Sequence, residues 1–202
     1  KTGNEVIPMK YTEIGDFSEE GLAKVRIYDN RDRTDYWGFV DKTGNEVIPM
    51  KYTEIGDFSA DGLAKVEIGY ERGLIDKSGK EIIPVKYREI GDFSEGLAKI
   101  ETYNNNGFGD KWGFIDKTGK EIIPVKLEYY KVGDFSDGLA RVKGRDKKNR
   151  NDAYGFIDKT GKEVIPIKYI QANDFSNGYA AVTAWYNDNE HWQVIDKTGK
   201  EI

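Results

Sequence analysis

The sequence predicts an all-β chain of tandem three-stranded antiparallel meanders, set in an open, gently curved array. Three observations point there. A stretch close to Asp-Lys-Thr-Gly-Lys-Glu-x-Ile-Pro-x-Lys-Tyr, followed by Gly-Asp-Phe-Ser-x-Gly-Leu-Ala, returns about every forty residues. Within it, apolar residues alternate with charged ones at the period of a strand. Gly, Asp and Pro recur in phase, at the places where turns and sheet edges need them.

The copies run 1–41, 42–76, 77–116, 117–158 and 159–196, and 197–202 begins another. Residues 1–18 are repeated without change as 42–59, the mark of a tandem duplication. Both ends of the sequence fall in the same Lys-Thr-Gly turn, as in a window from a longer array. A closed five-unit, propeller-like ring is the alternative. Glu5 to Tyr11 has no hairpin partner of its own and Trp192 to Asp196 has almost none, so the two could complete one unit.

Each unit reads as follows. In Leu22 to Ile27, Ala23, Val25 and Ile27 alternate with Lys24 and Arg26, a half-buried strand. Trp37 to Asp41, and Trp112 to Asp116 likewise, are aromatic and β-branched and form the most buried strand. The third strand, Glu46 to Tyr52, sets Ile48, Met50 and Tyr52 on one face. Asp-Lys-Thr-Gly joins the second and third strands, with Asp opening a type I turn and Gly supplying a positive φ for a G1 bulge. Proline donates no hydrogen bond, so Pro49, Pro84, Pro124 and Pro166 put the third strand at an edge and the second in the middle. Tyr-x-x-Ile-Gly-Asp-Phe-Ser then carries the chain across to the next unit. Asp16 and Ser18 are expected to cap that corner, and Phe17 to plug the seam between units.

Composition narrows the function. Lys, Arg, Asp and Glu make up 33% of the chain and leave a formal net charge of −5, with the signs interspersed, so nucleic acid is not an expected partner. No apolar run reaches bilayer length, so membrane insertion is not expected either. The absence of cysteine excludes disulfide and thiolate chemistry and is compatible with either side of a membrane. The single histidine, His191, lacks converging partners for zinc or triad chemistry. Every serine but Ser78 lies in the Phe-Ser pair, where five equivalents without a histidine read as capping groups. The acidic stretches 29–35 and 187–190 carry oxygen ligands but no EF-hand spacing, and read as solvated hairpins. No catalytic, cofactor-binding or metal-ligating residue emerges, and the chain is expected not to be an enzyme.

Trp-Gly-Phe-Ile-Asp-Lys-Thr-Gly-Lys-Glu-Ile-Ile-Pro-Val-Lys with Gly-Asp-Phe-Ser-x-Gly-Leu-Ala resembles the WG, or KWG, repeat of bacterial proteins over essentially the whole chain. The resemblance implies a β-rich repeat protein, sometimes exported or joined to other modules, and supplies no catalytic residues. An extracytoplasmic or cell-surface location is accordingly favoured over the cytoplasm. The chain departs from the pattern at Arg72-Gly73, where the aromatic is missing, and at Trp192-Gln193, where the Gly is lost.

The expected role is noncatalytic binding or scaffolding between proteins. Recognition is expected in the variable segments between the first and second strands, through Tyr28, Asp32, Tyr70, Tyr103, Phe108, Arg145, Trp185 and Tyr186. The alternative is a glycan bound by periodic aromatics, Trp37, Trp112, Tyr154 and Trp192 with Phe39, Phe114 and Phe156. Aromatic alternation in a central strand favours their packing in the core.

Overall fold

The computed structural model describes residues 9–103, 111–127, 129–148, 150–186 and 189–202. The described residues form nineteen strands and no helix. The chain divides into two compact units, Lys1–Lys86 and Tyr87–Ile202.

The first unit holds two antiparallel sheets. One is β1 (Glu13–Phe17), β2 (Leu22–Asp29), β3 (Thr34–Asp41) and β4 (Glu46–Tyr52). The other is β5 (Glu54–Ile55), β6 (Leu63–Ile68), β7 (Glu71–Asp76) and β8 (Glu81–Tyr87), whose last residue opens the second unit. The second unit holds three more sheets. They are β9 (Glu89–Ile90) to β12 (Glu121–Leu127), with β10 (Leu97–Thr102) and β11 (Lys111–Asp116) between them; β13 (Lys131–Ser136), β14 (Leu139–Arg145), β15 (Asp152–Asp158) and β16 (Glu163–Tyr169); and β17 (Gln171–Ala172), β18 (Tyr179–Tyr186) and β19 (Asn189–Asp196). Every sheet is a meander in chain order.

The three expected strands are present, with the Pro strand at an edge of each four-stranded sheet. The structure adds a fourth on the opposite edge, because the segment read as a bare crossing pairs with the first strand. Ile55 lies opposite Val66, Ile90 opposite Ile100, and Val132 opposite Val142. Those three linker residues are buried, so the pairing covers an apolar side chain as well as closing backbone hydrogen bonds.

The Pro strand also explains the Trp-Gly pair. Between Trp37↔Tyr52 and Phe39↔Ile48, one residue of β3, Gly38, faces three of β4, so Pro49 sits in a bulge. That bulge folds over Gly38, where a Cβ would collide with the Ile48 carbonyl oxygen; at Gly113 the equivalent oxygen, of Ile123, would be 2.7 Å from a Cβ. A side chain has no room at either glycine.

The Asp-Lys-Thr-Gly turns form as expected. Gly119 has φ of 86° and donates its N–H to the Asp116 carbonyl. The Asp116 carboxylate accepts from the Thr118 N–H, the Thr118 hydroxyl at 2.6 Å and the Lys120 N–H. These bonds, the hydroxyl's first, hold its carboxyl below the usual range, and Asp41, Asp76, Asp158 and Asp196 are lowered in the same way.

Within each unit, cores lie between successive sheets. In the first unit Phe39, Ile48 and Tyr52 pack with Ile55, Val66 and Ile75. In the second, Phe114 and Ile123 meet Phe135, Val142 and Ile157, and Phe156 and Ile165 meet Phe175, Val182 and Ile195. Fully burying a side chain of this size contributes about 1.5–3 kcal/mol, and each is buried by a neighbouring copy, the energetics of a repeat array. The Phe of the Phe-Ser pair plugs the seam at Phe135 and Phe175, whereas Phe17, expected in that role, is 40% exposed, because the described residues place no preceding sheet against it. Phe135 tilts onto Phe114 at 4.6 Å between ring centroids and Phe175 onto Phe156 at 4.8 Å, both 1% exposed.

Candidate functional site

The strand directions give each sheet two unlike ends. Reading along β3, the hairpin from β2 stands at its start and the Asp-Lys-Thr-Gly turn at its finish, and the same holds for β7, β11, β15 and β19. At the turn end, side chains are consumed by internal bonds such as those to Asp116. The hairpin end differs in length and residues from copy to copy.

Most of the binding residues expected from sequence stand at the hairpin ends. Tyr28 pairs across with Asp35 and is 44% exposed; Tyr70, at the tip of the shortest hairpin, is 83% exposed; Tyr103 is 50% exposed and lies under Arg88, whose guanidinium is 5.3 Å from its ring centroid. Arg145 is exposed opposite Asp152. Asp32 takes a different role. Its carboxylate accepts from the Thr34 N–H and from the Tyr36 hydroxyl at 2.5 Å, which raises the Tyr36 pKa, so it organises its own loop. Asp29 is similarly held by Arg31 at 2.6 Å and its carboxyl is lowered to about 2, so these carboxylate oxygens of the loop are engaged internally. Phe108 and the side chains of Trp185 and Tyr186 lie outside the described residues. Among the described residues no three His, Asp or Glu side chains converge as a metal site, and no helix is long and apolar enough to cross a membrane. His191 is exposed on β19, opposite Ala184.

The periodic aromatics divide into two sets. Phe39, Phe114 and Phe156 are buried. Trp37, Trp112 and Tyr154 are only half-buried. Neighbours on the adjacent strand cover two of these rings with cations: Lys24 Nζ is 4.4 Å and the Arg26 guanidinium 5.4 Å from the Trp37 ring, and Arg141 is 5.6 Å from Tyr154. Trp192, on a sheet without a described Pro strand, is 60% exposed. The expectation of a fully packed aromatic core therefore holds for the Phe positions, while Trp37 and Tyr154 sit at the core's rim under a charged cover.

Sequence reasoning did not find the copy-to-copy stitching at the corners. The Ser94 hydroxyl donates to the Phe135 carbonyl and the Ser136 hydroxyl to the Phe175 carbonyl, each at 2.6 Å and each reaching the next copy. Glu95 accepts the Gly138 N–H at 3.0 Å and binds Lys159 at 3.1 Å; Asp137 accepts the Gly178 N–H at 2.7 Å. Asp134 and Asp174, expected as local caps, instead pair with Lys99 and Arg141 of the preceding copy. The recurrence of Asp and Ser was visible in the sequence, but partners about forty residues away were not.

A family model described as "WG containing repeat" matches residues 1–30, 37–70, 73–106, 112–148 and 154–183. No curated protein matches the chain. Among solved structures, a eukaryotic initiation factor aligns with 96% of this chain and 55% of its own, at 12% identity and a TM-score of 0.46. The β-propeller domain of the Trilobed protease from Pyrococcus furiosus aligns with 96% of this chain and 69% of its own, at 14% identity and 0.40. Porphyromonas gingivalis dipeptidyl peptidase 4 aligns with 95% of this chain and 30% of its own, at 13% identity and 0.49. The chain thus spans about half the length of the first of these and under a third of the last.

Proposed function

From the premise that this chain belongs to the family of WG-containing repeats, a module of tandem β units, we propose that it is a noncatalytic binding module that holds a protein partner at the hairpin ends of its sheets. The observation that supports this reading is the division of labour along each sheet. Turn side chains throughout, and corner side chains of the second unit, spend their hydrogen-bonding capacity inside the array. Tyr28, Tyr70, Tyr103 and Arg145 present aromatic and cationic surface on loops that vary between copies, as protein-binding surfaces do. The cationic covers over Trp37 and Tyr154 weigh against sugar rings stacking there.

The test exchanges the four longer hairpins for the short Gly69-Tyr70-Glu71-Arg72 connection. Circular dichroism and thermal melting should show an intact fold, because strand pairing and cores are untouched. Proteins retained by the parent chain from cells of its source should be lost by the loop-stripped chain. Retention at full affinity would place recognition on the repeated faces and overturn the reading.

A further inference from the structure

We infer a second binding site, for an arginine side chain presented by a protein partner, in a groove of ≈ 560 Å³ at the corner where the first two sheets meet. It lies at the turn end of the first unit, away from the hairpins, and does not depend on the hairpin reading.

The groove follows from one extra residue. Copies three to five turn the corner with two residues of positive φ, as at Glu95 and Gly96 with 50° and 85°, a tight I′-type hairpin turn. The first two copies have Glu19-Glu20-Gly21 and Ala60-Asp61-Gly62 there, and only the glycine is left-handed. The longer corner satisfies itself: the Ser18 N–H donates to the Leu22 carbonyl, and the Ser18 hydroxyl accepts from the Leu22 N–H at 3.4 Å. Glu20 keeps the link to Lys77 on the next sheet, the counterpart of Glu95 with Lys159. The seam is looser, with Phe39 and Phe58 5.4 Å apart and Phe58 half-buried where Phe135 and Phe175 are fully covered.

Charge selects the occupant. In the second unit the equivalent acids are neutralised by the preceding copy, Asp134 by Lys99 and Asp174 by Arg141. Arg141 has a fork of donors and reaches both Asp174 and the Ala172 carbonyl. Lys24 occupies that position in the first copy and, unlike Lys99, turns its nitrogen to the Ile55 carbonyl beneath the Trp37 ring rather than to the acid. Asp57 therefore stands exposed at the groove with no partner among the described residues, beside the half-open Phe58 ring, and Asp16 adds a second carboxylate to the lining. A guanidinium matches the carboxylate bidentately and packs over an aromatic face, as Arg141 does 5.6 Å from the Tyr154 ring centroid.

The test titrates the ¹⁵N-labelled full chain with acetyl-Leu-Arg-Leu-amide and, in parallel, with its uncharged citrulline isostere. Saturable shifts are expected at the amides of Asp57, Phe58 and Ser59. Asp57→Asn should weaken binding at least about fivefold, as loss of a charge-assisted contact does, and citrulline should weaken it comparably. Deleting Glu19 and Ala60 together makes the two corners identical in sequence to Phe93–Ala98 and Phe135–Ala140; it should close the groove and abolish the shifts. Equal response to citrulline, indifference to Asp57→Asn, or no saturable shift would each overturn the inference. Shifts confined to Tyr28 and Tyr70 would do the same while leaving the hairpin reading standing.

Discussion

The corner between the first and second sheets and the corner between the third and fourth are built from nearly the same letters, yet they behave differently. At the later one, Ser94 and Glu95 reach forward to the Phe135 carbonyl and the Gly138 N–H, and Phe135 is sealed against Phe114. At the earlier one, Ser18 bonds within its own turn and Phe58 stays half-open. The difference is one residue of loop. A two-residue turn forces a non-glycine into the left-handed region, a strained conformation held in place by the next copy's amide. A three-residue turn relaxes the strain and forfeits the serine and amide bonds, while the Glu20–Lys77 pair remains. Repeat arrays can thus trade cohesion for a cleft by an insertion that leaves every strand intact.

The largest effect that could break this comparison is at the two phenylalanines. Phe135→Ala should cost about 3–5 kcal/mol, as truncation of a fully buried aromatic does, and Phe58→Ala about half of that, read as urea midpoints of the full chain. Equal losses would mean that the two seams are packed alike.

The contrast between a covered and an uncovered position can be sharpened at the Trp-Gly pair. Gly113→Ala pushes a Cβ against the Ile123 carbonyl and should cost roughly 1–3 kcal/mol, the usual range for overpacking. In the fifth sheet no described strand lies outside β19, so Gln193→Gly should change the melting temperature little. A tolerant Gly113 would remove the steric account of the pair.

A smaller difference is expected from the hydroxyls. Ser136→Ala removes a cross-copy hydrogen bond and should cost about 1 kcal/mol, whereas Ser18→Ala, at a 3.4 Å contact, should cost clearly less in the same melts.

Acid should act on both corners' sheets alike. The turn aspartates have depressed folded-state pKa values, so the stability they contribute is complete above the unfolded carboxylate value and is lost as pH falls through the folded one. Cooperative weakening is expected below about pH 4, followed by circular dichroism. Glu20, lowered to about 2 by its bond to Lys77, adds its part at the acid end of that window. A first unit that unfolds well before the second would show that its corner governs its acid sensitivity.

Much of this architecture was legible in the sequence. The period, the hairpin turn with its left-handed glycine and the edge position of the Pro strand each follow from the backbone preference of a single residue type. The added edge strand was not legible, because β5, β9 and β17 are two residues long and a neighbouring Gly or Asn gives no alternation to read. Exposure at Tyr28, Tyr70 and Tyr103 followed from their place in variable loops. The half-burial of Trp37 did not, since it depends on the bulge at Pro49 and on cations from the facing strand. The extra residue at the early corners was plain in the letters, but its meaning lay in partners a full copy away.

The most direct measurement is a crystal structure of the chain lacking Glu19 and Ala60. The account predicts that the Ser18 hydroxyl then donates to the Phe58 carbonyl, Glu20 accepts the Gly62 N–H, and the Phe58 ring is covered as Phe135 is. A shortened corner with Ser18 still bonded within its own turn and the groove still open would contradict it.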